Sequence, residues 1–521
     1  MRAQQPQGAH TMATQIPESE YAQVEGVVER AREAQKSIRA LSVEERLEHL
    51  RLLRGVIVNR TEEIVERVWQ ETGKSRSDIL MSEMFGALDV ISWHEKNAAK
   101  VLAPQKVETP LTMMGKKSEI WYEPLGVAFI IAPWNYPFFQ AIVPIVAALA
   151  AGNAVVYKPS EHTPLAGLIE SLLEEAAIAP NWVQVVYGDG AVGAEVIDQH
   201  PDLVMFTGSC ATGRKIMKQC SDMLIPVELE LGGKDAMIVF EDVDIPRTAA
   251  GALFGGLTAT GQSCTSVERL YVHESIKEEF VAELVRQARL LTQADTDSRN
   301  NDLGRMTVDF QIEQVNEQVQ DAVSRGARQL TGQDWDGRSA LIPPILLVDV
   351  PEDALVVTEE TFGPVIPVLS FSSEREVIDR ANDTPFGLTG SVWSADIDRA
   401  RRVAGALRAG GVSINNVMAT EATPVLPFGG VGDSGMGRHK GAEGLRGWCN
   451  PKSVIVDKDG SQGAGLEANW YPYTEKKYEK FSKMLQAYFA EQPAPVKLAK
   501  FGLLGTSLES YAQKAREERE K

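Results

Sequence analysis

The stretch PLGVAFIIAPWNYPFFQAIVPIVAALAAGNAVVY, residues 124–157, carries no charged side chain, and how it is read decides the fold. Its length and apolarity suit a membrane-spanning helix. Pro133, Pro137 and Pro144, with Asn135 and Gly152, argue against one continuous helix. A buried strand VAFIIA, a loop, a helix and a second buried strand AVVYK account for all of them. Continuously apolar strands are what a parallel sheet covered on both faces requires.

The same grammar continues downstream. VQVVY, LVMFTG and AMIVF are short β-rich runs, each followed by turn or cap residues and separated by helical stretches. That alternation implies an α/β fold with a doubly wound parallel sheet. Upstream, residues 18–100 read as helical, with Ser42 and Glu45 in a capping-box pattern ahead of Leu47, Leu50, Leu53 and Ile57. A second α/β domain is expected from the apolar run at 269–272, a helix over 278–291 and the strands VIPVLSF and GSVWS. After Asp459, a Gly and Ser stretch leads to Trp470, Tyr473, Tyr478, Phe481, Met484, Leu485 and Tyr488 at roughly helical spacing. Such a stripe is expected to pack on the parent domain or a partner subunit. The sharper alternative is a lid over a substrate entrance, or a membrane contact.

At 521 residues the chain exceeds what one hydrophobic core organises, so two or more domains are expected. The net charge of -19 argues against a nucleic-acid partner, because phosphate binding needs clustered Lys and Arg. Four cysteines, Cys210, Cys220, Cys264 and Cys449, form no CxxC pair, which fits a reducing compartment and a cytoplasmic location. The polar first 17 residues lack the apolar core of a secretory signal and read as a loose tail.

Candidate site residues come from five loops. GDGAVG, residues 188–193, satisfies the GxGxxG spacing after a strand, but no acidic residue follows a further strand at the expected interval, so it is set aside as a phosphate cradle. Lys158 and Glu161 in VVYKPSEHTP stand at the carboxyl edge of a buried strand, where a cation and a carboxylate suit a nucleotide. A surface salt bridge is the plainer reading of the same pair. FTGSCATG, residues 206–213, offers Ser209 and backbone donors at a strand-to-helix junction, suited to a pyrophosphate or simply to a capped turn. Cys264 lies in a turn-rich stretch entering a strand, where a thiol can be exposed rather than packed. Glu230 in LELGGKD is followed by Gly232 and Gly233, so a ligand can approach the backbone there, and the Asn135 amide between two prolines can donate to a developing oxyanion.

The ordered set PWNYP, KPSE, FTGS, ELGGK, GQSC, EETFGPV and LPFGGVGDSGMGRHKG resembles the aldehyde dehydrogenase superfamily over roughly residues 24–457. The interval between Glu230 and Cys264 is that of most members. The resemblance implies a doubly wound NAD-binding domain over 18–102 and 121–232 and a second, catalytic α/β domain over 233–447. It also implies a small β oligomerisation flap at 103–120 and 448–458, with 459–521 appended. It further implies that Cys264 attacks an aldehyde, that Asn135 and the Cys264 amide hold the oxyanion, and that Glu230 activates the water that hydrolyses the thioester. Lys158, Glu161, Ser209, Glu360 and Phe362, with Gly208 and Trp134 beside them, match positions that hold NAD, with NADP as the alternative. No metal is implied.

Two positions depart from the family pattern: Cys210 stands where threonine is frequent, and Asp235 where serine or asparagine is usual. Tyr136, Phe139, Val143 and Phe428 match positions that line the aldehyde tunnel, implying a hydrophobic aliphatic or aromatic substrate. The segment GQSCTSVERLYV instead resembles some semialdehyde dehydrogenases. A CoA-acylating member is the other alternative, and Glu230 speaks against it. The resemblance implies a homodimer or homotetramer.

Overall fold

The computed structural model describes residues 24–110, 113, 115–297, 299–457, 469–491, 493, 495, 496 and 514–520. The expected tail at 1–17 and the Gly and Ser stretch after Asp459 lie outside the described residues. Residues 1–103 with 122–451 form a larger unit, and 104–121 with 452–521 a smaller one.

In the larger unit the uncharged stretch folds as strand Val127–Ile131, helix Phe139–Ala151 and strand Ala154–Lys158, with every helix residue buried. Pro144 does not end that helix but lies inside it. The hydrogen bond it forfeits is outweighed by a segment that is apolar and packed on all sides. Among the described residues no helix is long and apolar enough to cross a membrane. The two strands pair in parallel within a sheet ordered Gly435–Met436, Val227–Glu230, Leu203–Thr207, Val127–Ile131, Ala154–Lys158 and Val183–Val185. All neighbours are parallel except the short edge strand Gly435–Met436. The chain therefore builds outward in one direction from Val127–Ile131, then returns to build in the other from Leu203–Thr207. The junction of these two neighbours is a topological switch point.

Helix Val43–Asn59 begins at a closed capping box: the Ser42 hydroxyl accepts from Glu45 N at 3.2 Å, and Ser42 N donates to the Glu45 carboxylate at 2.7 Å. Its residues Leu47, Leu50, Leu53 and Ile57 are buried in the core that also takes in the first sheet.

A second sheet of the same unit has seven strands, all parallel save the antiparallel edge Arg328–Gln329. Its Asp235–Val239 strand sends Ala236 and Ile238 into one hydrophobic cluster and Met237 and Val239 into another. This is the period of two expected of a strand covered on both faces.

The smaller unit carries a three-stranded sheet of Gln105–Val107, Lys116–Pro124 and Cys449–Asp457, and helix Glu475–Phe489. Among the described residues the aromatic stripe is only partly buried, with Phe481, Met484 and Tyr488 half-buried. Trp470, Tyr473, Tyr478 and Leu485 are exposed, and the residue of that helix that is buried is Lys477. Its ammonium is held by the Trp470 and Pro472 carbonyls and lies 5.4 Å from the Tyr473 ring, so the aromatics cluster round a cation rather than form an apolar seam.

Candidate active site

The loops leaving Val127–Ile131 and Leu203–Thr207, paired as parallel neighbours, open a cleft of about 680 Å³ at the switch point. Trp134, Asn135, Gly208 and Ser209 line it from those two loops, joined by Lys158, Glu161, Glu230, Cys264, Glu360 and Phe362. The catalytic and cofactor residues expected from the sequence thus border one cavity, whereas Tyr136, Phe139, Val143 and Phe428, expected along the aldehyde tunnel, do not line it.

Asn135 is positioned from below. Glu83, wholly buried, accepts from Phe138 N at 2.8 Å and Phe139 N at 3.1 Å and so caps the buried helix that follows the PWNYP loop. Lys74, also buried, balances it at 2.8 Å, and its ammonium sits 3.6 Å from the centre of the Tyr136 ring. The Asn135 amide donates one hydrogen to the Gln262 carbonyl at 2.9 Å, which leaves its second hydrogen to serve a ligand.

Cys264 ends a strained turn. Ala259 and Thr260 have φ of 53° and 58°, a cost offset by Asp78, which accepts from Ala259 N at 2.6 Å, and by the Gln262 side chain. That side chain donates to the Ala259 carbonyl and accepts from Thr307 N, each at 2.9 Å. The thiol is half-buried on the cleft wall. Burial first, then the charges of Glu421, Glu360, Glu230 and Asp235, push it up from the ordinary thiol range. A β-carbon on Gly233 would be driven into the Cys264 carbonyl oxygen, so the close approach itself demands glycine there. Of the other thiols, Cys220 and Cys449 are buried, and Cys210 contacts the Asp433 carbonyl at 3.1 Å.

Glu230 ends its strand opposite Gly435 of the antiparallel edge. It is buried, and neither carboxylate oxygen has a hydrogen-bond partner among the described residues. Burial raises it well above the ordinary carboxylate range, against the opposing pull of Lys440 and Arg438. His439 Nδ1 stands 3.3 Å from Glu230 Oε1. Burial, joined by Lys440, depresses His439 to about 4, whereas burial pushes Glu228 up to about 7. A β-carbon on Gly429 would lie 2.7 Å from Glu230 Oε1, which explains the first glycine of LPFGG. Lys440 is buried, donates to the Glu421 carbonyl, and lies 4.7 Å from the Phe428 ring and 5.9 Å from the Phe139 ring. Its burial brings its ammonium down to about 8. Tyr136, Phe139, Val143 and Phe428 are all buried, and Lys440 and Glu421 add charge beside two of them.

On the nucleotide side, Lys158 is buried with its ammonium on the Pro159 carbonyl at 3.0 Å and 3.7 Å from Glu161, whose side chain is 42% exposed. Ser209 caps helix Cys210–Asp222, accepting from Thr212 N at 3.3 Å, and lines the cleft at the same time. Glu360 accepts from Gly233 N at 2.9 Å and is raised by burial, and then by Glu268, to about 8. The backbone around it is strapped down by Glu268, which accepts from Thr361 N at 2.7 Å and Phe362 N at 2.9 Å while paired to Lys234 at 2.7 Å. The Phe362 ring, its backbone at φ 55°, meets Trp134 edge-on at 5.4 Å. Gly190 and Gly193 of the GxGxxG segment, set aside above, also line this cleft. The residues that sequence reasoning missed are His439, Lys440, Glu421 and Glu228.

The cleft thus defines an α/β oxidoreductase in which a groove with nucleotide-suited cation, carboxylate and cap groups runs into a thiol and a buried carboxyl. The Aldehyde dehydrogenase family profile matches residues 1–454. The 4,4'-diapolycopene aldehyde oxidase of a Methylomonas species is 39% identical over 91% of this chain and 89% of that protein. A betaine aldehyde dehydrogenase of Staphylococcus aureus, solved with NAD+, superposes with a TM-score of 0.80 at 30% identity, covering 87% of this chain and 90% of that one. An E. coli NADP-dependent enzyme gives a TM-score of 0.80 at 31% identity over 84% and 90% of the two chains. The chain belongs to the aldehyde dehydrogenase family. It oxidises aldehydes with NAD or NADP as acceptor.

Proposed function

We propose that Cys264 is the nucleophile, Asn135 the oxyanion donor and Glu230 the hydrolytic base. The observation that carries this reading is the company of the thiol. Cys264 shares its cleft with a buried carboxyl whose oxygens are free, and with an amide tied to the backbone carbonyl of Gln262. The Cys264 sulfur adds to the aldehyde carbon, and the second Asn135 hydrogen with the Cys264 backbone N–H receives the oxygen. The dinucleotide, when bound, supplies the hydride acceptor. Glu230 then takes a proton from the water that attacks the Cys264 thioester, and the acid departs as the sulfur is released. Replacing Cys264 by Ser is expected to abolish NADH formation, whereas Glu230→Gln is expected to keep a burst of one NADH per site and lose turnover. Full steady-state activity in Glu230→Gln would refute the base.

The cofactor groove fits a dinucleotide: Lys158 has spare donors, Glu161 is open to solvent beside it, and Ser209, Gly208, Glu360, Phe362 and Trp134 border the same space. Lys158 and Glu161 would hold the adenosine ribose, with Glu161 disfavouring a 2′-phosphate and so selecting NAD.

The substrate reading is a hydrophobic aldehyde, supported by the apolar side chains of Tyr136, Phe139, Val143 and Phe428 and by the relative named for 4,4'-diapolycopene aldehyde. One observation favours a carboxylate-bearing semialdehyde instead, the Lys440 ammonium at that wall. Initial rates on aldehydes graded by length and charge discriminate the two. A cytoplasmic homodimer or homotetramer, with the three-stranded sheet as the oligomerisation flap, completes the proposal. Four cysteines without a disulfide support the compartment.

A further inference from the structure

We propose that Glu228, Glu230 and His439 form a binding site for a zinc-class divalent cation, and that a cation held there halts thioester hydrolysis. The second clause rests on the reading of Glu230 as the base; the first does not. Glu228 and Glu230 are two apart on one strand and so project from the same face of the sheet. His439 is brought to them by a backbone bridge in which Phe428 and His439 exchange two hydrogen bonds of 2.8 Å.

One ligand-capable atom from each of the three side chains lies within 4.8 Å of the others, and all three residues are buried. Glu228 Oε1, both Glu230 oxygens and His439 Nδ1 have no hydrogen-bond partner among the described residues. Such a set of orphaned buried acceptors is costly unless something fills it.

One pair of donors stands at a metal-ligand spacing. Two ligands bound about 2.0–2.1 Å from a tetrahedral metal stand about 3.3 Å apart, and His439 Nδ1 and Glu230 Oε1 are 3.3 Å apart. One imidazole nitrogen and two carboxylates, with a fourth position open, make a zinc-type donor set. The nearby cations do not fill the space. The Arg438 guanidinium donates to the Gly430 and Gly437 carbonyls at 2.9 and 2.6 Å, and the Lys440 ammonium donates to the Glu421 carbonyl. Glu230 lines the cleft, which gives the ion its path. A carboxylate whose lone pairs are committed to a metal cannot take the proton of the attacking water, so acylation would proceed and hydrolysis would stop.

The test uses untagged protein. Zinc binding is measured by calorimetry in the Cys264→Ser variant, which removes the competing thiol, and cobalt absorption reports whether sulfur is a ligand. The expected result is one equivalent bound without sulfur-to-cobalt charge transfer, weakened by about tenfold or more in Glu228→Gln and, separately, in His439→Asn. Unchanged unfolding midpoints in those variants show that the fold is kept. In the wild-type enzyme, one equivalent of zinc is expected to leave the NADH burst intact and remove steady-state turnover, with recovery on chelation; a burst lost together with turnover places the cation on Cys264 and overturns the inhibitory clause. Binding that ignores both substitutions, or no binding, overturns the site while leaving the base reading untouched. Binding that depends on both residues but leaves turnover unchanged or faster overturns the inhibitory clause and, with it, Glu230 as the base.

Discussion

Lys74→Met isolates the pair that holds the oxyanion loop. Lys74 and Glu83 meet at 2.8 Å with side chains 1% and 0% exposed, so removing the lysine strands a carboxylate in the interior. Breaking a buried pair from one side costs about 3–5 kcal/mol. The two backbone N–H groups that Glu83 accepts at 2.8 and 3.1 Å remain and soften the loss, which places the expectation at the low end, about 3 kcal/mol. For a domain of 150–250 residues that corresponds to a fall in the thermal midpoint of about 6–12 °C. Scanning calorimetry at a fixed rate reads it, and the NADH burst rate on the same sample reads the displacement of Asn135. Adding Glu83→Gln removes the stranded charge while keeping an acceptor for the helix, and it is expected to restore about half of the lost midpoint or more. A single variant within about 2 °C of wild type, or a double variant less stable than the single, would refute the account.

Gly233→Ala forces a β-carbon against the Cys264 carbonyl and should cut the burst rate by about 100-fold with the fold retained; a near-normal burst would show that the nucleophile is not held by that contact. Asp235 is pushed up to about 8, chiefly by burial, from an ordinary value of 3.8. A carboxyl raised in the folded state contributes stability that is complete below the ordinary value and is lost as pH rises through about 8. Wild-type midpoints should therefore fall more steeply than those of Asp235→Asn between pH 5 and 9, and parallel curves would contradict this. Glu161→Ala should lower the Michaelis constant for NADP while sparing kcat with NAD; an unchanged NAD-to-NADP ratio would remove Glu161 from cofactor choice.

The strands were legible because period and apolarity are local properties: VAFIIA, AVVYK, LVMFTG and AMIVF fall on strands within a residue or two. The capping box of Ser42 and Glu45 was legible for the same reason. Cys264, Glu230 and the residues proposed to hold the cofactor were singled out because short motifs mark them, and they meet on one cleft. His439, Lys440 and Glu228 escaped because charged residues in loops and at strand ends are ordinarily solvated, and nothing local announces burial. Pro144 misled because packing overrode a helix breaker. The GxGxxG segment was set aside on a missing acidic residue, yet its glycines border the cleft. In the helix that carries the aromatic stripe the buried residue is Lys477, which no apolar periodicity announces.

The register that places Gly435 opposite Glu230, and the bridge between Phe428 and His439, tie one continuous segment to the rim of the buried carboxyl. Arg438 and Lys440, whose charges oppose the rise that burial imposes on that carboxyl, are therefore carried as one backbone-anchored cassette. Such a cassette can be exchanged between relatives as a block, because its anchorage is backbone hydrogen bonding that is indifferent to side-chain identity. With Glu230 as the proposed base, changes in this cassette would adjust the pH at which the acyl group is released and leave aldehyde capture and dinucleotide choice to other parts of the chain.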